Sequence, residues 1–146
     1  MIESLKQIFA GREEILFAWL FGSLATGRDN SRSDADIAIY VSEPRLLEDV
    51  DWYLGLKLEL MAVTRREVDL ILLNAAKPLV KHMANLHKIS LLSRDPLFEA
   101  EYSLRILHEY NDVRYWASRS RQHLLERKLC QIQKSLNKIL EYRPLA

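Results

Sequence analysis

The chain is predicted to fold as a small α/β core followed by a helical extension. Three observations carry this. Short apolar runs at 15–21, 34–41 and 67–73 have strand length, and each is bounded by turn-forming or charged residues. Segments with apolar residues three and four apart lie between them, the alternation expected of a layered α/β unit. Residues 97–142 then contain neither Gly nor Pro, so nothing in that stretch breaks a helix. A chain of 146 residues is about the size of one domain. The predicted division is a core over 1–96 and an extension over 97–146.

Each element follows from its own residues. Ile2, Leu5, Ile8 and Phe9 keep helical spacing, and Gly11 can end that helix. "ILFAWLF" (15–21) is apolar on both faces and closed by Gly22, which predicts a buried central strand. "DADIAIYV" (34–41) is the second strand. Pro44 suits a helix start, and an apolar stripe continues through Leu46, Leu47, Val50, Leu54, Leu58 and Met61. Gly55 weakens that helix slightly. "EVDLILL" (67–73) is the third strand, "KPLVKHMANLHK" a short helix with Pro78 in its first turn, and "ISLLS" (89–93) a short edge strand. Beyond Asp95-Pro96, Ile106, Tyr110, Val113 and Ala117 keep 3/4 spacing, as do Leu125, Leu129, Ile132, Leu136 and Ile139, and the next Pro is Pro144. Polar "SRSRQH" (118–123) separates the two stripes. The stretch is either one long helix with a polar middle or two helices joined there.

Composition excludes several classes. The 21 basic and 20 acidic residues leave a net charge of +1, too little for a bulk field toward nucleic acid or an acidic membrane. Residues 97–146 hold nine Lys/Arg and six Asp/Glu, so no direct nucleic-acid binding is expected there either. The longest early apolar run is seven residues, too short to span a bilayer. The first residues lack the charged head, apolar stretch and cleavage site of a signal peptide. One cysteine, Cys130, forms no internal disulfide. The expected setting is reducing and cytoplasmic.

The chemistry concentrates in "GSLATGRDNSRSDAD", Gly22 to Asp36. Side chains alternate along a strand, so Asp34 and Asp36 share a face, with Cα atoms about 6.6 Å apart at ~3.3 Å per residue. Carboxylates so placed can share hard cations such as magnesium. Ala35, Ile37, Ile39 and Val41 anchor the opposite face. The same alternation in "EVDLILL" aligns Asp69 with Ile71 and Leu73, so a neighbouring strand would bring Asp69 to the pair. Three adjacent aspartates repel unless cations neutralise them. Two magnesium ions would turn them into a clamp for phosphoryl-type transfer. Gly22 lets a triphosphate approach the backbone where a Cβ would block it. Ser23 opens a helical turn through Ala25 that Gly27 can end, and N–H groups at such a start, with the Ser hydroxyl, bind anions. The segment lacks the Lys of a phosphate-binding P-loop. A Gly-Ser pair alone is a turn and an Asp-x-Asp alone is a solvated strand end. Their combination, with a third aspartate in the next strand, points to a site.

"LFGS", ten residues, "DAD", then "EVDLILL" resembles the minimal nucleotidyltransferases, relatives of DNA polymerase β. The resemblance covers about residues 13–93. It implies a mixed sheet with flanking helices and transfer of a nucleotidyl group from a nucleoside triphosphate to a hydroxyl. Gly22 and Ser23 would hold the triphosphate, Asp34 and Asp36 the metals, and Asp69 would help ligate metal and activate the acceptor. Some relatives place an Arg before the second glycine. Here Thr26 stands there and Arg28 follows Gly27, so no phosphate-binding Arg is assigned.

Polymerases and tRNA-end-adding members of that superfamily carry extra domains, whereas this chain has about fifty residues beyond the core. Its size and helical tail are similar to MntA-like antitoxins, which pair with a small helical HEPN ribonuclease toxin. That resemblance implies an antitoxin that transfers AMP from ATP to a toxin tyrosine, with Mg2+. "RSRQH" (Arg119 to His123) has three residues between Arg and His, fewer than a HEPN toxin shows, so the chain is taken as the transferase. Two alternatives stay open: a transferase acting on an antibiotic hydroxyl, and an antitoxin that inhibits by steric cover alone. The tail stripes would either cover a partner or pack on the core.

Other residues are read as structural. His82 and His87 are five apart, not the four of a helical metal pair. Trp52 and Tyr53 are expected in the core. Tyr115 and Trp116 either pack or meet a partner, and nothing near Cys130 makes it a nucleophile.

Overall fold

The structure, a computed structural model, describes the backbone of residues 1–141 and side chains through residue 138. The Ile139 side chain and Pro144, both singled out in the sequence, lie outside what is described. Contacts divide the chain into two compact units, the first Met1–Tyr110 and the second beginning at Asn111.

The first unit is built on a four-stranded mixed sheet. Its elements in chain order are α1 (Ile2–Ala10), β1 (Ile15–Phe21), α2 (Gly22–Thr26), β2 (Ala35–Val41), a 3-10 turn (Pro44–Leu47), α3 (Val50–Thr64), β3 (Val68–Leu72), α4 (Pro78–Asn85), β4 (Ile89–Ser93) and the start of α5 (Pro96–Glu141). The strand order is β3-β2-β1-β4. β1 runs antiparallel to β2 and β4, and β2 runs parallel to β3. A strand that is apolar on both faces belongs in the middle, and β1 is central, as "ILFAWLF" requires. β4 is an edge strand, as its short sequence suggests.

The sheet is covered on both faces. On one, Ala18 and Leu20 of β1 and Ile37 and Ile39 of β2 pack with Leu5, Phe9, Leu56 and Leu60 of α1 and α3. On the other, Phe17, Trp19 and Ala38 meet Ala84 of α4 and Tyr102 and Ile106 of α5. Aromatic rings concentrate there: Phe17 stacks between Trp19 and Tyr40, both centroids at 5.1 Å, and Tyr102 meets Tyr40 edge-on at 5.0 Å. The Tyr102 hydroxyl donates to the Leu73 carbonyl, and burial pushes its pKa upward. At the end of the sheet where β2 finishes, the Asn74 amide pairs with both backbone groups of Val41 at 2.9 Å. Arg94 closes the C-terminal end of α1, donating to the carbonyls of Phe9, Ala10, Arg12 and Ile15.

The predicted face of α3 needs correction. The helix begins at Val50 with Asp49 as its cap, its carboxylate accepting from Trp52 N–H at 2.9 Å. Leu46 and Leu47 belong to the separate 3-10 turn. Val50, Leu54 and Leu58 face solvent, 65%, 48% and 64% exposed, while Leu56 and Leu60 are fully buried. Rotation is set by two amphipathic aromatics: Trp52 donates to Glu14 and Tyr53 to the Leu70 carbonyl. Both pack against the core as expected.

α5 is a single continuous helix, which decides between the two readings of residues 97–142. Of its first predicted stripe, Ile106 is buried and Tyr110 stacks on His82 at 3.7 Å, whereas Val113 is exposed. In the second unit every described side chain is exposed, including Tyr115, Trp116, Leu125, Leu129, Ile132 and Leu136. Cys130 is a free, exposed thiol. Among the described residues no helix is long and apolar enough to cross a membrane.

Candidate active site

The site is assembled at one end of the sheet, where β1 finishes and β2 and β3 begin. Phe21, the last residue of β1, pairs with Asp36 of β2, and Asp36 pairs with Asp69 of the parallel β3. Neighbouring strands lie about 4.8 Å apart, so Asp69, Asp36 and the Gly22–Ser23 turn form a row across three strands. Asp34 stands two residues before Asp36, just ahead of β2. Asp36 is partly buried, and Asp34 and Asp69 are exposed.

The electrostatics show that Asp36 feels both of the other carboxylates. The pKa of Asp36 is raised, first by burial, then by the negative charges of Asp69 and Asp34. Repulsion of this kind is relieved by protonation or by a cation.

α2 starts directly on β1. Gly22 has φ +70° and Gly27 φ +68°, both in the left-handed region, and the Arg28 N–H closes the turn on the Ser23 carbonyl at 3.0 Å. The Thr26 hydroxyl also donates to the carbonyls of Gly22 and Ser23. The Ser23 hydroxyl has no partner among the described residues. Gly22 has a further role that sequence reasoning missed. A Cβ there would lie 2.1 Å from Oδ2 of Asp36. The missing side chain is what lets the carboxylate sit against the turn.

Arg66 was also missed. Its guanidinium donates to the carbonyls of Asn30 and Ser33 at 2.7 and 3.0 Å and pairs with Asp29 at 3.3 Å. It therefore pins the loop that delivers Asp34. Inside that loop the Asn30 side chain accepts from Arg32 N–H, and Ser33 Oγ accepts from Asn30 N–H. No local motif announces a contact between residues 33 positions apart.

The donor set fits a hard cation: three carboxylates, no thiolate or imidazole, with the central one carrying unrelieved negative charge. Among the described residues no three potential ligands already close on a single cation position. The carboxylates stand side by side along the strand ends, an arrangement suited to ions shared with a substrate's oxygens.

The strand order, the turn after β1 and the matched sequence define the class of this protein, a nucleotidyltransferase domain. The chain belongs to the family described as polymerase beta nucleotidyltransferase, whose model matches residues 3–97. No curated protein matches the sequence. Among solved structures, the chain is similar to one described as the toxin-antitoxin with AMP-PNP, with TM-score 0.68 at 18% identity over 87% of this chain and 96% of that one. It is similar to a chain of the MntA-HepT toxin-antitoxin, with TM-score 0.62 at 17% identity over 88% and 97%. A third is a tri-AMPylated Shewanella oneidensis HEPN toxin in complex with MNT antitoxin, with TM-score 0.63 at 16% identity over 88% and 99%. At these identities the likeness establishes the fold.

Proposed function

We propose that this chain is the antitoxin of a two-protein module and transfers AMP from ATP to a hydroxyl, a tyrosine by the family resemblance, of a helical HEPN-type partner. The observation that carries the chemistry is the row of Asp69, Asp36 and the Gly22–Ser23 turn on adjacent strands, with Asp34 beside it. Asp34, Asp36 and Asp69 would hold Mg2+, two ions in this reading, which when bound would neutralise the carboxylates and stabilise charge on the transferring phosphoryl group. Ser23 and the backbone at Gly22 would orient the triphosphate. The acceptor oxygen bonds to the α-phosphorus, the bond from that phosphorus to the bridging oxygen breaks, and pyrophosphate leaves. The acceptor's proton passes to a carboxylate, and in this reading Asp69, exposed on the edge strand, takes it.

The partner is supported by the solved relatives, which are toxin-antitoxin complexes, and by the exposed apolar side chains at Leu125, Leu129, Ile132 and Leu136. The setting would be the cytoplasm. The test uses ATP labelled at the α- or the γ-phosphate, with Mg2+ and the helical protein encoded beside this chain. Label from the α-position should appear on the partner and label from the γ-position should not. Transfer of γ-label, or of neither, rejects the reading.

A further inference from the structure

The second unit differs from the first in charge. Residues 111–146 hold eight Lys/Arg and three Asp/Glu, a net of +5, against thirteen and seventeen over 1–110, a net of −4. The near-neutral total hides this asymmetry, and counting from residue 97 dilutes it with Glu99, Glu101 and Glu109 of the first unit. The apolar residues of the second unit have an order of their own. Leu125, Leu129, Ile132 and Leu136 are spaced four, three and four residues apart on one unbroken helix, the a/d repeat of a coiled coil. All are more than half exposed. A seam of two positions in seven has the width of one packed helix, narrower than the face a helix turns to a core or a membrane surface.

That register sorts the charges. With Leu129 and Leu136 at a and Leu125 and Ile132 at d, the g positions are Arg114, Arg121 and Lys128, followed by Ser135. The three cations recur every seven residues along one edge of the seam, and all are exposed. Arg121 and Lys128 have no hydrogen bond or ion pair among the described residues. The e positions on the other edge are Arg119, Glu126 and Gln133, mixed in charge. Two of them already have partners on the helix itself: Arg119 donates to the Tyr115 hydroxyl at 2.6 Å, and Glu126 lies 3.6 Å from His123. The f positions, opposite the seam, include Arg127 and Lys134. One edge of the apolar seam is therefore a row of cations turned outward.

We infer that this seam docks one α-helix of the partner, and that the facing edge of that helix carries carboxylates opposite Arg114, Arg121 and Lys128. The inference rests on the two-protein reading and gives its partner surface a chemistry. A second copy of the chain fits poorly. Antiparallel pairing sets g against g, cation row against cation row. Parallel pairing in register sets Arg114 against Arg119 and Lys128 against Gln133, and only Arg121 meets a carboxylate, Glu126. Two units of net +5 also repel. Nucleic acid would use the cations and leave four aliphatic side chains without a role. Trp116, the ring a base would stack on, stands at b, off the cation edge. An acidic helix satisfies both features: its own a/d residues cover the seam, and its carboxylates set its direction and register.

The test is calorimetric titration of the nuclease-treated full chain with the helical protein encoded beside it, without ATP. Arg121→Glu with Lys128→Glu reverses two charges on the edge of the seam. Arg127→Glu with Lys134→Glu reverses the same two residue types on the far face. All four positions are exposed, so both variants should keep the helix content and melt of the unsubstituted chain. The edge variant should bind about tenfold more weakly, since each exposed pair turns from attraction to repulsion, and the difference should shrink in high salt. The far-face variant should bind within about twofold of the unsubstituted chain. Equal losses in the two variants, no loss in either, or binding that nuclease treatment abolishes overturns the proposal. So does a dimer of the chain alone that Leu129→Asp dissolves in sedimentation. Edge-dependent binding by a chain that transfers no AMP would uphold the seam and reject the transferase reading. AMP transfer with binding indifferent to the edge residues would do the reverse.

Discussion

Substituting Gly22 by Ala tests the geometry on which the site depends. Two costs arise. A non-glycine residue at φ +70° loses about 1–2 kcal/mol. The new Cβ would also lie 2.1 Å from Asp36 Oδ2, where ordinary contact begins at 3.4 Å, so the carboxylate must retreat by more than an ångström. Driving a side chain off its rotamer costs about 0.5–1.5 kcal/mol. Gly27 is the internal control, since it has φ +68° and no atom within 4 Å of its would-be Cβ. Gly27→Ala should show the backbone cost alone, and the reduced entropy of the unfolded chain offsets both variants equally. At about 4 °C per kcal/mol for a domain of this size, Gly22→Ala should melt about 2–6 °C below Gly27→Ala. In an Asp36→Ala background that difference should vanish. Equal melts in the native background, or a difference that persists without Asp36, would refute the reasoning.

Asp34→Asn and Asp36→Asn should each abolish nucleotidyl transfer while the melt of the apo chain holds or rises. The sign for Asp36 follows from its raised pKa: the folded state binds the proton more tightly than the unfolded chain, so stability falls as pH rises from the unfolded carboxylate range through the folded value. Melts taken across that window should slope less in Asp36→Asn, and an unchanged slope would remove Asp36 as its source. Ser23→Ala removes a hydroxyl that has no internal partner among the described residues and should slow transfer by about 2–3 kcal/mol, on the order of a hundredfold, with partner binding intact. An unchanged rate would reduce Ser23 to a turn residue. Deleting 125–146 removes Leu125, Leu129, Ile132 and Leu136, all more than half exposed, so the melt should stay unchanged and a pull-down of the partner should fail. A lowered melt with an intact pull-down would reject the partner surface.

Much of the fold is legible because its signals are local. Double-sided apolarity made β1 central, and alternation on β2 and β3 placed Asp36 beside Asp69. What was not legible depends on distant residues. The exposed face of α3 follows from hydrogen bonds of Trp52 and Tyr53 to groups far along the chain. Fourfold spacing through Val50, Leu54 and Leu58 looked equally good as a buried stripe. α5 begins on the core through Tyr102 and Ile106, which meet rings from β1 and β2, and no helical pattern names its aromatic partners. In the candidate site, residue types and spacing pointed to Gly22, Ser23 and the three aspartates, and the sheet brings Asp36 and Asp69 side by side. The contact between Gly22 and Asp36 and the brace from Arg66 needed the sheet order first.

The most direct test of the central account is the intact mass of the co-purified partner, taken before and after incubation with this chain, ATP and Mg2+. The account predicts discrete increments of one adenylyl group on the partner, absent when the chain carries Asp36→Asn. A stable complex whose partner keeps its original mass with the unsubstituted chain would contradict it.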